Sequence, residues 1–93
     1  MEIKFLDSDG NVIASKQYTS TRKRISRPKD PNRWVLGLTY EMAGTIEEFA
    51  EFIGNVVAIN VDNVTYDVES FAISIQPVEN KPDAVQLHIA KEL

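Results

Sequence analysis

From Val56 to Val78 the chain reads VVAINVDNVTYDVESFAISIQPV, and this stretch constrains the fold more than any other. It is the longest run of β-branched and aromatic residues, which favour pleated, half-buried strands. Asp62-Asn63 divides it. Both residue types tolerate the positive φ that a two-residue hairpin turn requires. With that pair at the turn, Val61 opposes Val64, Ile59 opposes Tyr66 and Val57 opposes Val68. Opposed residues share a face, so all six line one apolar face. Val56, Ala58, Asn60, Thr65, Asp67 and Glu69 take the other. A slip of one residue would turn the apolar set to water, which fixes the register. Beyond it the parity changes, because Phe71, Ile73 and Ile75 are odd-numbered while Val64, Tyr66 and Val68 are even. One regular strand cannot keep both sets on one face. The sequence therefore predicts a bulge or break at Glu69-Ser70.

The remaining elements follow in chain order. Ser8-Asp9-Gly10 reads as a three-residue hairpin loop with glycine in the left-handed position. It joins strands at about 2–7 and 11–19, with Phe5 opposite Ile13 and Leu6 opposite Val12. The same residues faintly resemble a calcium loop, but Gly10 comes too early and Tyr18 stands where the closing glutamate belongs. Residues 33–42 alternate, placing Trp34, Leu36, Leu38, Tyr40 and Met42 on one face. Gly37 lies on the opposite face, where a close approach is expected. Thr45 and Glu48 form a capping box. Ile46, Phe49, Ala50 and Ile53 follow as one apolar stripe of a short helix, about 45–54, with Gly54 as its stop. A loop is expected over Pro77–Asp83, and Val85, Leu87 and Ile89 mark a last strand. One helix among about seven strands implies a single α+β domain over residues 1–93. Its architecture is a mainly antiparallel sandwich or partly closed barrel with the helix packed against it.

Charge is distributed unevenly. Residues 20–34 hold six basic side chains and one acid, a net +5, while the remainder carries −9. Between residues 20 and 32 only Ile25 is apolar enough to bury, and Pro28 and Pro31 remove backbone donors. An exposed basic loop is expected there. Arg22, Lys23, Arg24, Arg27, Lys29 and Arg33 are the candidate binding residues, dense enough to meet phosphates or an acidic protein face. Trp34 beside them suits base stacking, although its parity assigns it to the core. The acidic body disfavours general nucleic-acid binding, since it repels the phosphate backbone around the basic segment.

Chemistry offers less. The chain has no cysteine and one histidine, His88, too few soft or imidazole ligands for a zinc site. Asp62, Asp67 and Glu69 read as turn and solvated-face carboxylates. The glycines are scattered, so no phosphate loop is formed. No catalytic, cofactor-binding or metal-binding residue is assigned, and no enzyme is expected. No apolar run nears the roughly 20 residues that span a bilayer, so no membrane partner is expected. Asn63-Val64-Thr65 matches a glycosylation sequon without a signal peptide before it.

The expected function is that of a non-enzymatic assembly protein, cytoplasmic or virion-associated. Its basic arm would dock on an acidic protein surface or on copies of itself in a homo-oligomer. The architecture resembles the small sandwich-plus-one-helix subunits of phage tails, which also carry long loops, and that resemblance implies a structural role. The alternative is a binding module or inhibitor acting on nucleic acid, a nucleotide or a nucleic-acid enzyme.

Overall fold

The computed structural model describes residues 2–26 and 35–92. Seven strands and one short helix occur in the order β1 (Glu2–Leu6), β2 (Val12–Ser26), β3 (Val35–Ala43), α1 (Ile46–Ala50), β4 (Ala58–Val61), β5 (Val64–Asp67), β6 (Ala72–Val78) and β7 (Lys81–Glu92). They form one sheet ordered β5-β4-β1-β2-β3-β7-β6, and every pairing is antiparallel. The expected α+β class is thus the observed one.

The sheet must curl. Six inter-strand steps of about 4.8 Å would set the edge strands of a flat sheet about 29 Å apart. Yet β5 and β6, the two edges, are consecutive in the chain. From Asp67 to Ala72 the backbone reaches at most about 18 Å. The edges therefore approach each other without closing, and the Tyr66 and Phe71 rings meet edge to face at 5.1 Å. The expected break at Glu69-Ser70 is this corner. Asp67 shapes it by accepting the Glu69 and Ser70 N–H groups at 3.1 and 2.8 Å.

Inside the curl lie Ile3 and Phe5 of β1, Leu38, Tyr40 and Met42 of β3, Ile59 and Val61 of β4, and Val85, Leu87 and Ile89 of β7. Phe49 from α1 plugs one end, meeting the Phe5 ring at 5.9 Å. Thr45 caps α1 as expected, its side-chain oxygen accepting from Glu48 N–H at 3.3 Å. The helix is shorter than expected, and a 3-10 turn follows at Ile53–Asn55. Gly54 has no positive φ and lies inside that turn, so it is not the helix stop. Ala50 is exposed. Phe52 takes its place on the core, 5.3 Å from Phe5, because the early end of the helix rotates the later residues.

The Asp62-Asn63 hairpin has the expected register, with φ of 49° and 71° at the turn. Its apolar face is buried only on the β4 side. Val64 and Val68 remain exposed because no described strand covers the β5 edge, and Val57, just ahead of β4 and beside Val68, is exposed with them. Val56, assigned to the outer face, is instead buried, since it precedes the strand.

Three further expectations change. Phe5 pairs with Ala14, not Ile13, because the ladder shifts register between Phe5 and Leu6. The Pro77–Asp83 loop is a hairpin: Val78 pairs with Lys81 and Asn80 has φ 64°. Pro77 is tolerated because β6 is an edge strand, where a missing N–H need not break a ladder bond. Finally, the basic loop drawn at 20–32 is a strand over 20–26. The absence of apolar residues there does not signal a loop. That half of β2 is exposed on both faces, so no alternation is needed, and pairing with β3 along one edge holds it extended.

Candidate functional site

The site is built on β2, whose two halves serve different neighbours. Val12–Gln17 pairs with β1 and Tyr18–Ser26 with β3. The ladder shifts register between Tyr18 and Ser20. A bulge of this kind exchanges the faces. Ala14, Lys16 and Tyr18 turn toward the core rim. After the bulge, Thr21, Lys23 and Ile25 lie opposite Tyr40, Leu38 and Leu36 on the inner face. Ser20, Arg22 and Arg24 lie opposite Glu41, Thr39 and Gly37 on the outer face.

From Ser20 to Ser26, β3 occupies one edge of β2, and no strand occupies the other among the described residues. No described residue bonds the backbone groups of that edge. Thr19 to Ile25 are all exposed, Ile25 by 53%. Arg22, Lys23 and Arg24 form no ion pair among the described residues. By contrast, Lys81 is held by Glu41 at 3.3 Å and Lys16 by Glu48 at 3.7 Å. Three of the six sequence-selected basic residues are therefore together on one open strand. Arg27, Lys29 and Arg33 lie outside the described residues, as does Trp34.

Composition alone does not reveal what surrounds the arginines. On the outer face, pairing carries Arg22 across to Thr39 and then to His88 and Ser74. The next row runs Arg24, Gly37, Ala90, Ala72. Arg22, Arg24, Val35, Gly37, Thr39 and His88 line a groove of about 250 Å³. His88 Nδ1 lies 3.1 Å from Thr39 Oγ1, which holds the ring against the sheet. The outward parity of Gly37 and His88 is visible in the sequence. Their convergence with Arg22 and Arg24 depends on a bulge that no residue type announces.

Of the carboxylates named in the sequence, Asp62 and Asp67 have structural partners. Tyr18 donates to Asp62 Oδ2 at 2.6 Å. That bond is the largest cause holding the Asp62 carboxyl below its ordinary range, and it pushes the Tyr18 hydroxyl up. Asp67 is lowered chiefly by the Ser70 N–H. The Asp7 carboxylate accepts the Asp9 and Asn11 N–H groups, each at 2.9 Å, and so shapes the Ser8–Gly10 turn rather than a cation loop. Among the described residues no three His, Cys, Asp or Glu side chains converge as metal ligands, and no helix is long and apolar enough to cross a membrane. An apolar hollow of about 230 Å³ lies at the open seam between the 3-10 turn and β6, lined by Ile53, Phe71 and Ile73 among others.

Compared with known proteins, the chain matches no family model, no curated protein and no solved structure.

Proposed function

We propose that this chain is a non-enzymatic interaction and assembly protein that docks through the basic edge of β2 on an acidic protein surface, foremost that of a neighbouring copy. One observation carries the reading: Arg22, Lys23 and Arg24 stand on an open strand edge without ion pairs among the described residues. The rest of the chain supplies the complement, because outside residues 20–34 it carries −9. An unpaired edge offers main-chain hydrogen bonds to an incoming strand. The charges steer the approach and select the partner. Nothing in this reading depends on the likeness to phage-tail subunits, although a structural subunit is the setting it suits.

The test replaces Arg22, Lys23 and Arg24 together by serine and measures mass by light scattering at low and high salt. Wild type should associate at low salt and dissociate at high salt, as screening predicts for exposed charges. The variant should remain monomeric while unfolding within about 0.5 kcal/mol of wild type, as exposed substitutions do. Equal masses for the two proteins at both salt concentrations would overturn the reading.

A further inference from the structure

We infer that the outer-face groove across β2, β3 and β7 is a binding site for a phosphate group carried by a small molecule or free in solution. The inference goes beyond the assembly reading. It shares Arg22 and Arg24 with it but does not need self-association.

Two guanidiniums rise from alternate residues of β2, whose Cα atoms stand about 6.6–6.8 Å apart. They meet no carboxylate partner among the described residues. Opposite them stands His88, braced by Thr39 at 3.1 Å. Between the two walls, Gly37 leaves the floor open. A Cβ there would lie 3.5 Å from His88 Cε1 and 3.8 Å from the Arg24 carbonyl oxygen, in ordinary contact with both. Gly37 therefore preserves space rather than an unusual backbone. The nearest acid toward the β2 bulge, Glu41, is occupied by Lys81. At the far end of the face Glu92 is also engaged.

The donor set selects the ligand. A lone carboxylate is satisfied by one guanidinium in a bidentate pair. Two guanidiniums, with the donor that the Thr39–His88 bond leaves over, exceed that and match an oxyanion with three or more acceptor oxygens. The groove, about 250 Å³, is smaller than the roughly 300–1,000 Å³ of pockets for drug-sized ligands. It admits a phosphate and part of the group that phosphate esterifies. A long polyanion would also meet the acidic body, whereas a small phosphate meets only the groove.

The test is an amide NMR titration of the full chain, at a salt concentration where it is monomeric. The probes are inorganic phosphate, a nucleoside monophosphate and, separately, sodium chloride at matched ionic strength. Gly37, Thr39 and His88 amides should shift saturably with phosphate and not with chloride. Tighter binding of the monophosphate would assign a phosphomonoester, and equal binding the free ion. Arg24→Gln should weaken binding about tenfold or more, the loss expected when a charge-assisted bond is removed. Gly37→Val should do the same by filling the floor with every charge retained. Dispersed spectra of both variants would show that they fold. Non-saturating shifts, the same shifts with chloride, or unchanged affinity in the folded variants would overturn the site. Stronger binding per phosphate to a single-stranded oligonucleotide would overturn the small-ligand assignment. Self-association by light scattering is a separate readout, so either reading can fail alone.

Discussion

Phe49→Ala tests how the helix is held. Phe49 is 1% exposed and sits between Phe5, at 5.9 Å, and Phe52, at 5.5 Å. Truncation removes the buried ring and leaves a cavity, a loss of about 3–5 kcal/mol. The T-shaped contact with Phe5 and the 5.5 Å approach of Lys16 to the ring favour the upper part of that range. A domain of this size has about 5–15 kcal/mol in total, so the variant should be near the limit of folding. Thr45→Ala removes one cap bond of 3.3 Å and should cost about 1 kcal/mol. The asymmetry has a cause. α1 spans Ile46–Ala50, and helices this short do not persist on their own hydrogen bonds. Tertiary contact through Phe49 must hold it. In urea, with a slope of about 1.5 kcal/mol/M, Phe49→Ala should lower the midpoint by roughly 2–3 M and Thr45→Ala by roughly 0.7 M. Equal shifts, or a larger one for Thr45→Ala, would refute the claim that packing dominates the cap.

Two further predictions concern turns and acid stability. Gly44 has φ 136°, and a Cβ there would meet Glu48 Oε2 and Phe49 Cε2, each at 2.9 Å; Gly10, at φ 81°, faces open space. Gly10→Ala should cost about 1–2 kcal/mol from backbone strain alone, and Gly44→Ala clearly more, because it also displaces the buried Phe49 ring; similar melting temperatures for the two would contradict this. Tyr18 holds the folded Asp62 carboxyl below its unfolded value, so the stabilisation is present above the ordinary carboxylate pKa of about 3.9 and is lost as pH falls through the lowered value. Tyr18→Phe should raise the Asp62 pKa, read by carboxyl NMR titration, and flatten the acid limb of thermal stability as pH falls through the carboxylate range. An unchanged Asp62 titration would show that the hydroxyl does not set it.

Legibility followed burial. The Asp62-Asn63 turn, the parity break at Glu69-Ser70 and the Leu36–Met42 face were readable because each has one side in the core. Where both faces meet water, the pattern fails. Thr19 to Ile25 has no alternation to detect, so a strand looked like a loop. Pro77 and Pro82 read as loop residues because sequence does not say that Pro77 falls on an edge strand, β6, and Pro82 at the start of β7, ahead of its pairing with β3 at Ala84. The curl of the sheet was equally hidden, since it follows from strand order and from the short link between β5 and β6. The basic residues were visible as a cluster. Alternation separates Arg22 and Arg24 from Lys23, but the bulge near Thr19 decides that the two arginines take the outer face. The bulge also decides that the arginines meet Thr39 and His88.

The charge on β2 also restricts how copies can meet. An open edge invites the same edge of another molecule, the usual route to uncontrolled pairing. Here such a contact would bring Arg22, Lys23 and Arg24 of one copy against the same three residues of the next. No acid lies between Ser20 and Ser26 to relieve the repulsion. Like charges juxtaposed across an interface cost several kcal/mol. A two-fold dimer through β2 is therefore disfavoured. Under the proposed docking, the edge of one copy must meet a different, acidic surface of the next. Contacts between unlike surfaces close into rings if the rotation allows and otherwise extend as filaments. The light-scattering experiment discriminates here too. A mass that rises past the dimer as salt is lowered fits head-to-tail docking. A salt-resistant dimer would place the interface elsewhere, with the uncovered Val57, Val64 and Val68 at the β5 edge as the first surface to mutate.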